Sequence, residues 1–240
     1  MTQSDEQLPP RCGMVAVIGA PNAGKSTLVN ALVGQKVAIT SPKAQTTRAR
    51  LLGIALHEES QMMLVDTPGI FEPGRRLDRA MVSAAWESSR GADVIALVID
   101  ARAKLTDKVK TLASFLKDRP ERHILLLNKV DIAAKDKLLV QALELGKSGG
   151  FEEVFFISAL TGDGAAEVKA WLAKAMPEAA WQFPEDQASD ASERLMAAEI
   201  TREQLYRQLH AELPYASAVI PESYTVRRDG SVEIHQQILV

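Results

Sequence analysis

Between Met14 and about Met176, short apolar runs rich in β-branched residues alternate with helix-length stretches whose apolar positions recur every three or four residues. The runs Val15 to Ile18, Leu51 to Leu56, Met62 to Val65, Val94 to Ile99, Ile124 to Leu127 and Val154 to Ile157 predict strands. Helices are predicted over Lys25 to Val33, around Arg79 to Ser89, and over Asp107 to Lys117, Lys135 to Leu145 and Ala165 to Ala175. A strand apolar on both faces belongs between two layers, so the alternation implies an α/β fold, a mostly parallel sheet flanked by helices.

The texture changes at Met176-Pro-Glu-Ala-Ala-Trp-Gln-Phe-Pro-Glu-Asp186, where two prolines and a run of acids interrupt the periodicity. We expect a first domain over residues 1–178, a linker over 179–189, and a smaller α+β part over 190–240. Asp190 with Glu193 is set to cap a helix whose apolar stripe is Met196, Ile200, Leu205 and Leu209, ending before Pro214. The period then becomes two. Asp229-Gly230 between Ala218 to Arg228 and Ser231 to Val240 predicts a β-hairpin with a type I′ turn, and Pro221 predicts an edge strand or a bulge.

Composition narrows the function classes. The net charge is 28 − 31 = −3, so the bulk basic surplus of a general nucleic-acid or membrane-surface binder is missing. Cys12 is the single cysteine, and no Cys/His cluster accompanies His57, His123, His210 and His235, which fits a reducing cytoplasm and no zinc. Met1 to Pro10 has no apolar leader core, and no apolar run reaches about 18 residues, so neither secretion nor membrane spanning is expected. Trp86 and Trp171 read as helix core residues, and Lys104 to Lys117 as a solvated face.

Gly19, Ala20, Pro21, Asn22, Ala23, Gly24, Lys25 and Ser26 match G-x-x-x-x-G-K-[ST], directly after one predicted strand and before a predicted helix that Thr27 continues. The glycines let backbone N–H groups turn toward phosphate oxygens, and the helix N-terminus adds its positive end. Lys25 should reach the β- and γ-phosphates, and the Ser26 hydroxyl should ligate Mg²⁺. Average composition gives the pattern in about 1% of chains of this length, so context makes an empty turn improbable. Asp66, Thr67, Pro68 and Gly69 follow the strand Met62 to Val65. There Asp66 can hold Mg²⁺ through water and the Gly69 N–H can meet the γ-phosphate, with Ile70 next. The polar stretch Ser41 to Arg48 reads as a first switch, with Thr47 rather than Thr46 completing the metal shell.

Asn128, Lys129, Val130 and Asp131 end one strand, and Ser158, Ala159 and Leu160 end the next. A carboxylate at Asp131 can accept from guanine N1–H and from its exocyclic amine, whereas adenine would leave that charge unpaired. Asn128 would bond the base edge or brace the phosphate loop, the Lys129 stem would lie over the ring, and the Ala159 N–H would meet the guanine oxygen. The implied ligand is GTP or GDP.

These motifs resemble the translation-factor-related GTPases, and the details resemble the Era family of bacterial GTPases. Ser41 to Arg48, Asp66 to Ile70, Phe183-Pro-Glu-Asp186, Glu199-Ile-Thr-Arg-Glu203 and Glu212-Leu-Pro-Tyr215 carry the likeness, which runs from about Met14 to Val240. It implies a Ras-like P-loop NTPase domain followed by a type II KH domain. It also implies a monomeric Mg²⁺-dependent GTPase whose partners are the small ribosomal subunit and the 3′ end of 16S rRNA, active in ribosome maturation, with some peripheral inner-membrane association. In this sequence Ile238-Leu239-Val240 falls inside the second KH strand and no G-x-x-G follows Ile220, so an incomplete KH part is expected. Residues 181–240 carry 5 Arg and no Lys against 10 acids, 5 − 10 = −5, opposite to an RNA-binding footprint.

Ras-type GTPases place a glutamine after the D-x-x-G glycine, where this sequence has Ile70. Asn22 stands where related GTPases use an asparagine to hold K⁺, whose charge can stabilise the transition state, so Asn22, Lys25, Thr47 and Gly69 are the expected catalytic set. Two rival readings fit the same residues: a non-hydrolysing GTP-dependent binding module, and an ATPase or kinase on the same loop.

Overall fold

The computed structural model describes residues 9–40, 51–67, 90–209 and 217–240, without the side chains of Leu51, Asp107, Lys108 and Thr111. The expected helix around Arg79 to Ser89, the stretch Ser41 to Arg48, Trp86, His210 and Pro214 lie outside the described residues.

Six strands form one sheet: β1 (Arg11–Gly19), β2 (Leu51–His57), β3 (Ser60–Asp66), β4 (Val94–Asp100), β5 (Arg122–Asn128) and β6 (Glu153–Ile157), in the order β2-β3-β1-β4-β5-β6. All neighbours are parallel except β2 and β3, which form an antiparallel hairpin at one edge. The sheet is mostly parallel and flanked by helices as expected, and the fold is α/β.

Alternation along the strands divides the core. Val94, Ala96 and Val98 of β4 face one side with Leu28 and Leu32 of helix α1 (Lys25–Val33) and Val168 and Leu172 of α4 (Ala165–Ala175). Ile95, Leu97 and Ile99 face the other side with Leu112 and Leu116 of α2 (Asp107–Lys117) and Leu138 and Leu145 of α3 (Lys135–Gly149). A one-residue slip would exchange these two sets, so the register is strongly specified. The sheet therefore carries every loop at its carboxyl edge in a fixed relation to the others, which is what a ligand site there requires. Trp171 packs against Phe155 rather than offering a free face.

The segment following α4 is docked onto the sheet. Gln61 is fully buried; its Oε1 accepts from the Gln182 N–H (2.9 Å) and the Phe183 N–H (3.0 Å), and its Nε2 donates to the Phe183 carbonyl (2.8 Å). Trp181 and Phe183 cover Cys12, Leu52, Met63 and Val65. Ala188 accepts from the Ile54 N–H at 2.8 Å, and Ser189 bridges Gly53, so the segment extends the β2 edge.

Beyond it lie α5 (Glu193–Gln208) and a two-stranded sheet, β7 (Ala218–Val226) with β8 (Val232–Leu239). Three expectations need correction here. Ser192, not Asp190, caps α5, accepting from the Leu195 N–H at 3.3 Å, while Asp190 accepts from the Leu52 N–H of the sheet edge. The buried positions of α5 are Ala198, Arg202, Glu203 and Tyr206, and Ile200 of the expected stripe is exposed, because the inner face is held by paired polar groups. Finally, Gly230 is the hairpin residue with positive φ (81°), and its N–H bonds the Arg227 carbonyl while the Arg227 N–H bonds Ser231. That is a type I turn closed by a glycine bulge, not type I′, which needs two residues at positive φ. Pro221 stands at a register shift, as its missing N–H requires.

Candidate functional site

The loop between β1 and α1 is shaped by two glycines. A Cβ on Gly19 (φ +151°) would stand 2.2 Å from the Val98 carbonyl oxygen, and one on Gly24 (φ +102°) 2.2 Å from Asn128 Nδ2. No other residue fits either position. Helix α1 has no side-chain cap and no acid in its first turn, so its N–H groups point into the loop with an uncompensated positive end. Lys25 is 7% exposed and arches over the loop, its Nζ donating to the carbonyls of Gly19 (3.2 Å) and Ala20 (2.9 Å). Burial lowers the Lys25 pKa, opposed by the nearby Asp66 carboxylate.

Asp66, at the end of β3, is fully buried, and the Ser26 hydroxyl donates to its Oδ2 at 2.6 Å. A carboxylate and a hydroxyl side by side are hard oxygen donors, the set that suits Mg²⁺. Among the described residues no group of three His, Cys, Asp or Glu could hold a metal, so an ion here would depend on these two oxygens together with those of a nucleotide. Thr67 is buried and donates to the Val17 carbonyl at 2.9 Å, pinning the start of the next loop. Thr47, Pro68, Gly69 and Ile70 lie outside the described residues.

On the far side, Asn128 braces two loops at once. Its Nδ2 donates to the Ala23 carbonyl (2.8 Å) and its Oδ1 accepts from the Ala159 N–H (2.9 Å). The brace is thus the observed role of Asn128, and the Ala159 N–H expected for the guanine oxygen is held by it here. Lys129 adopts positive φ (70°), as does Asn22 (61°), and its Nζ donates to the Asn22 carbonyl at 2.5 Å. Asp131 lies exposed in the short turn Val130–Ile132, where a base could reach its carboxylate. Ser158 is buried, its oxygen accepting from the Thr161 N–H, and Leu160 is exposed. Pro21 and Asn22 lie in the loop between β1 and α1, and Thr27 in the first turn of α1. The structure thus brings Gly19 to Thr27, Asp66, Thr67, Asn128 to Asp131 and Ser158 to Leu160 to one edge of the sheet.

Sequence reasoning gave no structural role to two further residues. One is Asp100, next to Asn128 in the parallel register of β4 and β5, which pairs with Lys129 and Arg102. The other is Glu203 of α5, fully buried, which accepts from Lys36 Nζ, from the Thr40 N–H and hydroxyl (3.2 Å each), and from Arg207 (2.9 Å). It ties the chain leading out of α1 to the second part. Burial would raise the Glu203 carboxyl, but the Lys36 and Thr40 bonds and the Arg207 charge outweigh it, so the pKa is lowered. A carboxyl lowered by folding adds stability above its unfolded value and loses it as pH falls through the folded value. Glu203→Gln should cost about 1 to 2 kcal/mol near neutrality, because it weakens charge-assisted bonds but leaves Lys36 and Arg207 about half exposed to solvent. In calorimetry its unfolding midpoint should fall less steeply than the wild type's between about pH 6 and about pH 3; parallel curves would refute this.

Fold and site together define a P-loop nucleotide-binding protein of the GTPase class. The family described as 50S ribosome-binding GTPase matches residues 14–129. The chain is 65% identical over 234 residues to the GTPase Era of Erythrobacter litoralis, covering 96% of this chain and 77% of that protein. It is 50% identical over 240 residues to the GTPase Era of Agrobacterium fabrum, covering 100% of this chain and 76% of that one. Two solved structures superpose with a TM-score of 0.86 at 37% identity, each covering 95% of this chain and 78% of its own: Aquifex aeolicus Era bound to GDP and AlF4⁻, and Era in complex with MgGDPNP and nucleotides 1506–1542 of 16S ribosomal RNA. This chain belongs to the Era family of GTPases. Among its described residues no helix is long and apolar enough to cross a membrane.

Proposed function

We propose that this GTPase is a nucleotide-driven switch in maturation of the small ribosomal subunit, with the 3′ end of 16S rRNA as its target. The observation that carries the nucleotide half is the Asn128 brace, which locks the phosphate loop at Ala23 to the base loop at Ala159. The rRNA half is supported by the relative solved with 16S rRNA nucleotides. Residues 181–240 are net acidic, 5 − 10 = −5, so weak attraction for free RNA is expected of this chain.

In this reading the N–H groups from Gly19 to Thr27 cradle the phosphates and Lys25 neutralises the β- and γ-oxygens. Ser26, Thr47 and, through water, Asp66 hold Mg²⁺, which when bound offsets charge on the phosphate oxygens. Gly69 meets the γ-phosphate. Asp131 reads the base and Lys129 lies along it. With Ile70 unable to orient water, we assign charge stabilisation to K⁺ held at Asn22. Single-turnover phosphate release should be faster in KCl than in NaCl; equal rates remove the K⁺ assignment. No release at all, with or without small subunits, would leave a binding module in place of a hydrolysing switch.

A further inference from the structure

Asp100 ends β4 at the carboxyl edge of the sheet and is only 18% exposed at its side chain. Its Oδ1 accepts from the Arg102 N–H and Nε (3.0 Å each), and its Oδ2 accepts from Arg102 Nη2 (2.7 Å) and Lys129 Nζ (2.9 Å). Burial would raise this carboxyl, but the Arg102 and Lys129 bonds bring it down to about 2. Lys129 makes its other bond to the Asn22 carbonyl, so one ammonium joins the end of β4 to the turn of the phosphate loop.

A lysine stem has four rotatable bonds and costs entropy to hold straight, so an ammonium anchored at both partners before ligand arrives lowers the cost of binding.

Resting on the guanine-nucleotide reading above, we propose that Asp100 is a positioning residue for the base site. Its carboxylate fixes the Lys129 ammonium on the phosphate loop, so that the stem lies ready for the purine. The competing role is local: Asp100 also caps the turn at Arg102, and that cap by itself would have no bearing on the nucleotide.

The test measures dissociation of fluorescent GDP from the whole chain carrying Asp100→Asn, Arg102→Ala, Lys129→Met, and Asp100→Asn with Lys129→Met. Asp100→Asn should speed GDP release by about tenfold or more, the range of a lost charge-assisted hydrogen bond. Its unfolding midpoint without nucleotide should stay within about 4 °C of wild type, a shift that corresponds to a small stability change. In the Lys129→Met background the same change should add less than about twofold, since its partner is already gone. Arg102→Ala, at an exposed guanidinium, should leave release within about twofold of wild type, because the Lys129 bond remains. The proposal falls if Asp100→Asn releases GDP at the wild-type rate, if the effects multiply in the double variant, or if Arg102→Ala matches Asp100→Asn. Should Asp100→Asn not fold, the Arg102→Ala arm decides: release faster by about tenfold would point to the local cap and overturn the proposal. A wild type indifferent to GDP over ADP would instead overturn the nucleotide reading itself.

Discussion

Asp131→Asn should lose affinity for GDP by about three orders of magnitude and gain affinity for XDP, because an amide presents a donor where guanine presents two. Xanthine carries a carbonyl at the position of the exocyclic amine, so the new N–H finds an acceptor there. The side chain is exposed in the turn Val130–Ile132, directly after the braced Asn128, so the change alters what the base meets and leaves the core intact. Competition of GDP, XDP and ADP against a fluorescent guanine nucleotide measures it. If the variant retains wild-type GDP affinity, Asp131 is not the base reader, and a P-loop ATPase or kinase becomes the better account of the site.

Lys25→Ala should lower single-turnover hydrolysis by about 10² to 10³, the loss typical when one preorganised charge aimed at the transferring group is removed. Without nucleotide the same variant should change little in stability, since relief of the buried ammonium's desolvation is offset by loss of its attraction to the buried Asp66 carboxylate. The two readouts separate a catalytic from a structural lysine: a variant that hydrolyses GTP normally but unfolds early would place Lys25 in the scaffold.

Much of this was legible from residue order. The phosphate loop could be read because its backbone demands glycine at Gly19 and Gly24, and such demands leave a motif. The strands could be read because one sheet buried on both faces needs continuous apolar runs, as Val94 to Ile99 and Ile124 to Leu127 supply. Asp100 could not, since its meaning comes from a parallel register that brings it beside Asn128, which follows only after the whole stretch from Ala101 to Leu127. Knowing that β4 precedes the N-K-x-D strand in the sheet would have exposed it. Glu203 was hidden for another reason: a glutamate amid charged neighbours on a helix reads as solvated, and only the contact with Lys36 and Thr40 makes it interior. The same contact turned the buried face of α5 away from its most apolar stripe. At the hairpin, Asp229-Gly230 fixed the place of the turn, while its type was decided by whether one or two residues take positive φ.

Among the described residues, specific polar groups join the later part of the chain to the sheet, beside the packing of Trp181 and Phe183. Gln61 holds Gln182 and Phe183, and Glu203 holds Lys36 and Thr40 beside the segment that precedes the first expected switch. Such paired polar contacts, unlike a broad apolar interface, are strongly affected by loss of one partner.

The central claim is that a glycine-shaped phosphate cradle and a separate carboxylate together select guanine nucleotides. Isothermal titration of the purified chain with GDP and with ADP, in the presence of Mg²⁺, tests it most directly. GDP should bind at least about a thousandfold more tightly than ADP, the discrimination expected when the wrong base covers the Asp131 carboxylate without supplying its hydrogen-bond donors. Equal affinity for the two, or binding of neither, would contradict it.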